Sequence, residues 1–124
     1  GNLTHTPHGF GISALLPYVM RFNLPTRVAE FAEIGRLLGV ASASSPLIEQ
    51  AHAGITRIEA LLAAIGAPLD VAALGLSPDD FGFVADQAML ATRLTANNPR
   101  ELTREAVIAI LERSHAGDRS WWEV

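Results

Sequence analysis

The sequence predicts an all-α protein, a bundle of about five to six helices in one domain. Three observations carry this. Apolar residues recur at i+3 and i+4 through nearly every segment. No segment alternates apolar β-branched residues with polar ones, as a half-buried strand does. The periodic segments are punctuated by cap residues, prolines and glycines at the offsets that start and stop helices.

The first helix is predicted from His8 to about Asn23, with Ile12, Leu15, Leu16, Val19, Met20 and Phe22 mostly on one side. Pro17 lies inside it, so a kink or a break into two short helices is expected there. Thr26 is the expected N-cap of the next helix, which turns Val28, Phe31, Ala32, Ile34 and Leu38 inward and stops at Gly39. Ser45-Pro46 supplies a cap followed by proline at the first helical position. From there Leu47, Ile48, Ala51, Ile55, Ile58, Leu62 and Ile65 recur on one stripe as far as Gly66. This is the clearest amphipathic helix, and its length marks it as a central strut. Leu69–Leu76 is a short helical turn closed by Gly75. Ser77-Pro78-Asp79-Asp80 is a second cap-plus-proline start, its two carboxylates suited to the helix dipole. It leads a helix that buries Phe81, Val84, Ala85, Ala88, Met89 and Ala91. Asn97-Asn98-Pro99 breaks that helix, and Thr103 caps the last one, whose Val107, Ile110 and Leu111 point inward before Gly117. Residues 1–117 thus read as a single helical domain and DRSWWEV, 118–124, as a tail without period.

Composition bounds the function. Hydrophobic residues make up 49% of the 124 and charged residues 18%, with a mean hydropathy of +0.25. That is apolar for a small monomer, so a homodimer, a larger homo-oligomer or a part of something larger is expected. The net charge of −4 argues against nucleic acid, and the nine cations, all arginine, form no stripe. No apolar run approaches the ~20 residues that span a bilayer; the best candidate, GFGISALLPYVM, contains Pro17. No basic start with a small-residue cleavage site marks a secretory signal. With no cysteine there is neither disulfide nor thiolate metal site, and a cytoplasmic location is expected.

Chemistry-bearing residues are few. His5 and His8 lie three apart, His8 between Pro7 and Gly9 at a helix entrance, a layout that holds an imidazole in place for a metal. On spacing alone two ordinary loop or cap residues explain it as well. His52 is expected on the polar side of the long helix, and His115 near a helix C-terminus, where the dipole favours it. Asp79, Asp80 and Asp86 read as helix-start and surface carboxylates, and Arg100–Glu105 as a solvated capping region. Trp121-Trp122 is either a partner-binding anchor or, as preferred here, a tail folded back over an apolar groove. HGFG is no dinucleotide loop, because its spacing is not G-x-G-x-x-G and no βαβ unit surrounds it.

The stretch THTPHGFGISALLPYVMRFN resembles a segment of the iron-containing (group III) alcohol dehydrogenases: P-H-G, small residues, L-P-x-V-M, then an aromatic-Asn pair. The resemblance continues in order through IEALLAAIGAP, LGLSPDDF and NNPRELTREAVIAIL, covering about residues 1–115. It implies a C-terminal helical domain that faces an N-terminal NAD(P)-binding α/β domain, with iron or zinc in the cleft. In that family the metal is held by one aspartate and three histidines, and it polarises the alcohol while hydride passes to the nicotinamide. His8 matches the last histidine ligand. The other ligands and a histidine implicated in catalysis lie upstream in the family and have no counterpart here. His5 falls where the family often has histidine, though not as a ligand. Tyr18 stands where many relatives have histidine, and the SWWEV tail runs past the usual end.

The resemblance therefore implies the metal-site-contributing helical domain of an iron-dependent NAD(P) alcohol dehydrogenase, acting on alcohols or aldehydes and inactive as this chain alone. No catalytic or NAD(P)-contacting residue is assigned within it. Two alternatives stand beside this: a non-catalytic helical oligomerisation or interaction module, and a small metal protein pairing His5 and His8 across an oligomer. Without upstream helices, Ile12, Leu16 and Met20 or their neighbours are expected to be exposed and to drive self-association.

Overall fold

A computed structural model of the chain describes residues 8–95 and 100–122, and the side chains of 13–89 and 100–122. Five α-helices follow one another: α1 His8–Asn23, α2 Val28–Leu37, α3 Leu47–Ala64, α4 Phe81–Thr95 and α5 Arg104–Ala116. Single 3-10 turns stand at Leu24–Thr26, Ala72–Leu74 and Pro78–Asp80. No strand occurs among the described residues. The fold is all-α, as the periodicity requires.

The helix at the centre is α1, not α3. Its Ala14 packs with Val71, Phe81, Ala85, Val107 and Leu111. Its Met20 packs with Leu24, Ala32, Ala51 and Ile55, and its Tyr18 and Phe22 with Ile110. A helix that contributes to three separate clusters is packed on several sides, which needs apolar residues around most of its circumference. The expected exposure fails at Met20, which is 5% exposed, while Leu16 is half-buried against the same cluster. The α2–α3 hairpin covers that side. Ile12 lies outside the described side chains.

Pro17 does not break α1, which runs unbroken from His8 to Asn23. The cap of α2 also departs from expectation. Thr26 belongs to the preceding 3-10 turn, where its Oγ1 donates to the Asn23 carbonyl at 2.9 Å, and Arg27 stands at the N-cap without a side-chain bond. At α3 the cap is Pro46 rather than Ser45, one residue later than expected. The remaining punctuation is observed as read. The Asp80 carboxylate reaches back to the Ser77 N–H at 3.0 Å, and Thr103 Oγ1 accepts from Ala106 N at 3.1 Å. Gly39, Gly75 and Gly117 end their elements with positive φ. The Asn97-Asn98-Pro99 break lies outside the described residues.

The stripe of α3 holds in its middle and fails at its ends. Ala51 and Ile55 are fully buried, while Leu47, Ile48 and Ile65 are exposed. Helices α2 and α3 run antiparallel and touch backbone to backbone. A Cβ built on Gly54 would lie 2.6 Å from the Phe31 carbonyl oxygen and 2.9 Å from Gly35 N, and one on Gly35 would lie 2.5 Å from the Gln50 carbonyl oxygen. Only glycine allows that approach. Away from it, a single hydroxyl ties three segments: Ser114 Oγ donates to the Ala14 carbonyl at 2.8 Å and accepts from Val71 N at 2.9 Å, with Ser114 fully buried.

Two glycine substitutions are expected to act in opposite directions. Gly54→Ala sets a methyl against fixed backbone and should destabilise by about 1–3 kcal/mol in urea denaturation, despite alanine's better helix propensity. Gly82→Ala on α4 meets only the partly exposed end of the Arg104 side chain, at 3.3 Å. It should be neutral or stabilising by up to about 1 kcal/mol.

Candidate functional site

His8 is the first residue of α1. Its side chain, and His5 altogether, lie outside the described residues. Among the described residues, no three of His, Asp or Glu come together to hold a metal ion. His52 and His115 are both engaged with aromatic rings. The His52 ring lies flat on Trp121, centroids 3.7 Å apart and 7° from parallel. His115 meets Phe81 nearly edge-on at 5.8 Å. Neither is a fully exposed surface histidine; both are half-buried. Burial, then the Arg21 cation, push the His52 imidazole below its ordinary range, with Glu49 opposing them.

The expected carboxylate roles are observed. Asp80 closes its helix start, and Asp86 forms an exposed ion pair with Arg104 at 2.9 Å. The Arg100–Glu105 region is less uniformly solvated than expected, because Arg100 is half-buried. Its Nη1 donates to the Phe22 carbonyl at 3.0 Å and its guanidinium lies over the Phe22 ring. Tyr18 is only 1% exposed between Phe22 and Ile110, and burial raises its phenol above the usual range.

A buried ionic centre formed by α1 and α3 was not anticipated. Arg21 and Glu59 are 4% and 7% exposed. The guanidinium grips the carboxylate with two bonds, Nη1 to Oε2 at 2.6 Å and Nη2 to Oε1 at 3.1 Å. Its other donors are also engaged: Nη1 with the Pro17 carbonyl at 3.0 Å and Nε with the Arg119 carbonyl at 2.7 Å. The Trp121 ring lies 4.3 Å from the same guanidinium. A signal existed in the sequence. Glu59 falls four residues after Ile55 and eight after Ala51, on the buried stripe of α3. A carboxylate on an apolar stripe needs a buried cation. Arg21, set between Met20 and Phe22, was the available one.

The C-terminal tail folds back over the body, as preferred from the sequence. Trp121 covers His52 and Arg21; Trp122 meets Phe22 edge-on at 5.6 Å and lies under the Arg113 guanidinium at 3.8 Å.

The description "Fe-containing alcohol dehydrogenase family, C-terminal" matches residues 1–115. Lactaldehyde reductase of Escherichia coli (strain K12) is 33% identical over 110 residues, 89% of this chain and 28% of the relative. 1,3-Propanediol dehydrogenase of Klebsiella pneumoniae is 32% identical over 114 residues, 92% of this chain and 29% of the relative. The crystal structure of a 1,3-propanediol oxidoreductase superposes with a TM-score of 0.83 at 32% identity, over 92% of this chain and 30% of that one. The chain thus spans less than a third of the length of these relatives.

Breaking the ionic centre from one side should be costly. Glu59→Ala leaves a desolvated guanidinium and is expected to destabilise by about 3–5 kcal/mol in chemical denaturation. Replacing both partners with apolar residues of similar volume, Arg21→Met with Glu59→Leu, should recover most of that loss.

Proposed function

This chain belongs to the Fe-containing alcohol dehydrogenase family, matching its C-terminal part, and we propose that it forms the helical side of a metal-dependent, NAD(P)-linked site that interconverts alcohols and aldehydes. The observation that carries this reading is the family match over residues 1–115, with a superposition on a 1,3-propanediol oxidoreductase at a TM-score of 0.83 and a histidine at the first position of the central helix. When bound, iron or zinc supplies a Lewis acid for the alcohol oxygen, and the nicotinamide supplies the hydride acceptor.

The contribution of this chain is positional. His8 offers one imidazole at the start of a helix that is packed from Ala14 to Phe22. A first-row metal takes four or more donors, and the described residues gather no such set. They do not fit a complete metal or dinucleotide site, and no chemical step is derived from them. In this proposal the remaining donors and the NAD(P) cradle come from protein outside this chain. A cytoplasmic compartment and a homo-oligomer belong to the same reading.

Two measurements on the polypeptide that carries this sequence in its cell test the proposal. Intact mass should show a species roughly three times heavier than this chain, in line with the relatives' lengths. Metal analysis of that species should find iron or zinc, lost in a His8→Ala variant that keeps its helicity. A species of this length alone, without metal, would favour the non-catalytic helical module instead. Alcohol-dependent NAD(P) reduction by the 124-residue chain, tracking its bound metal, would overturn the proposal.

A further inference from the structure

Helices α1 and α3 run antiparallel. Met20 shares a cluster with Ala51 and Ile55, Arg21 meets Glu59, and Ser13 Oγ donates to the Pro68 carbonyl at 2.8 Å. The start of α1 and the end of α3 therefore lie at the same end of the helical body, and that end is apolar. From Ala60 to Leu69 no side chain is polar, and the Gly9-Phe10-Gly11-Ile12 stretch that opens α1 has no polar side chain either. Ala60, Leu61, Ala63, Ala64 and Ile65 are nevertheless exposed. Ile65 is 78% exposed, and Leu61, four residues earlier on the same helix face, 43%. A contiguous exposed surface of this kind, without a charge, marks a place where other protein packs.

The opposite end of the pair differs. The 18 residues of α3 place it about 27 Å away, at roughly 1.5 Å per residue. Leu37, Leu38, Val40, Leu47 and Ile48 are exposed there too. Arg36, Ser42, Ser44, Ser45 and Glu49 are interleaved with them in sequence, as on an ordinary solvated surface.

We propose that the apolar end formed by Leu61, Ile65 and the loop to Leu69 is the docking surface for polypeptide that precedes residue 1, a partner carried on the same chain. This rests on the function proposed for the chain, in which the remaining metal donors and the NAD(P) cradle come from protein outside it. Position selects that occupant over a second copy. The matching family description is of a C-terminal part, and the matched stretch makes up only 28% and 29% of two relatives. The additional protein in such relatives lies ahead of the matched segment. Polypeptide ahead of residue 1 joins the helical body at the start of α1, the end at which Leu61 and Ile65 are bare. His8, the first residue of α1, belongs to that same end. One partner seated there would cover the apolar surface and adjoin the proposed metal donor.

The test is thiol labelling of cysteine variants in the polypeptide that carries this sequence in its cell. Leu37 and Ile65 are equally exposed, at 78%, at opposite ends of the pair. Ile65→Cys should react with a maleimide at least about tenfold more slowly than Leu37→Cys, and Leu61→Cys should be slow as well. The tryptic peptides that follow Arg36 and Arg57 separate these thiols from any other by mass. Equal rates at Ile65 and Leu37 would overturn the inference and leave the mass and metal results of the functional reading untouched. Protection that vanishes on dilution to single polypeptides would also overturn it, by assigning the surface to a second copy. A species of this length alone would remove the partner and overturn both.

Discussion

The arrangement depends on one constraint: helix α1 must pack into three apolar clusters while carrying a buried cation. Ala14, Tyr18, Met20 and Phe22 spread around its circumference into three apolar clusters. Arg21 sits among them with 4% of its surface exposed. A desolvated guanidinium is tolerable only when its charge is matched and its N–H groups are engaged. Glu59 matches the charge, and the Pro17 and Arg119 carbonyls take further donors. This fixes the register of α3 against α1 and brings the chain's C-terminal residues back over both. A buried ion pair adds little net stability against an apolar pair of the same shape, but it penalises every wrong register severely.

The hairpin of α2 and α3 is set by a different force. There the glycines at 35 and 54 let the two backbones approach to distances that a methyl group forbids. The hairpin covers the Met20 side of α1 with Ala32, Ala51 and Ile55, so α1 is not left with the bare apolar face that its sequence implied. On the opposite side Ser114 satisfies both the Ala14 carbonyl and the Val71 amide, coupling α5 to α1. Helix α1 is thus clamped from Ala14 to Phe22, and His8 is the first residue of the same helix. For a residue proposed as a metal donor this matters. Ligand geometry is set by the rigidity of the element that carries it.

The tail uses the same chemistry as the core, more weakly. Arg21 serves the buried carboxylate and the Arg119 carbonyl together, so residues 118–122 extend the ionic centre. Trp121 shields the pair from one side, which links the tail's position to the dielectric in which Arg21 and Glu59 interact.

Sequence alone determined the helical class, the succession of five helices and most of their ends, because period and punctuation are local properties. The i+3 and i+4 recurrence, the glycines at 39, 75 and 117, the Thr103 cap and the Ser77–Asp80 start all act within a few residues of themselves. It also located His8, through a resemblance that the family match bears out, although the side chain's role is a proposal. Tertiary structure decided which helix is central, that Arg21 and Glu59 meet across 38 residues, that two glycines touch, and that His52 lies under a tryptophan. Each of these depends on which faces meet in space. A charge on an apolar stripe announces that a partner exists; only the packed fold brings the partner within 2.6 Å.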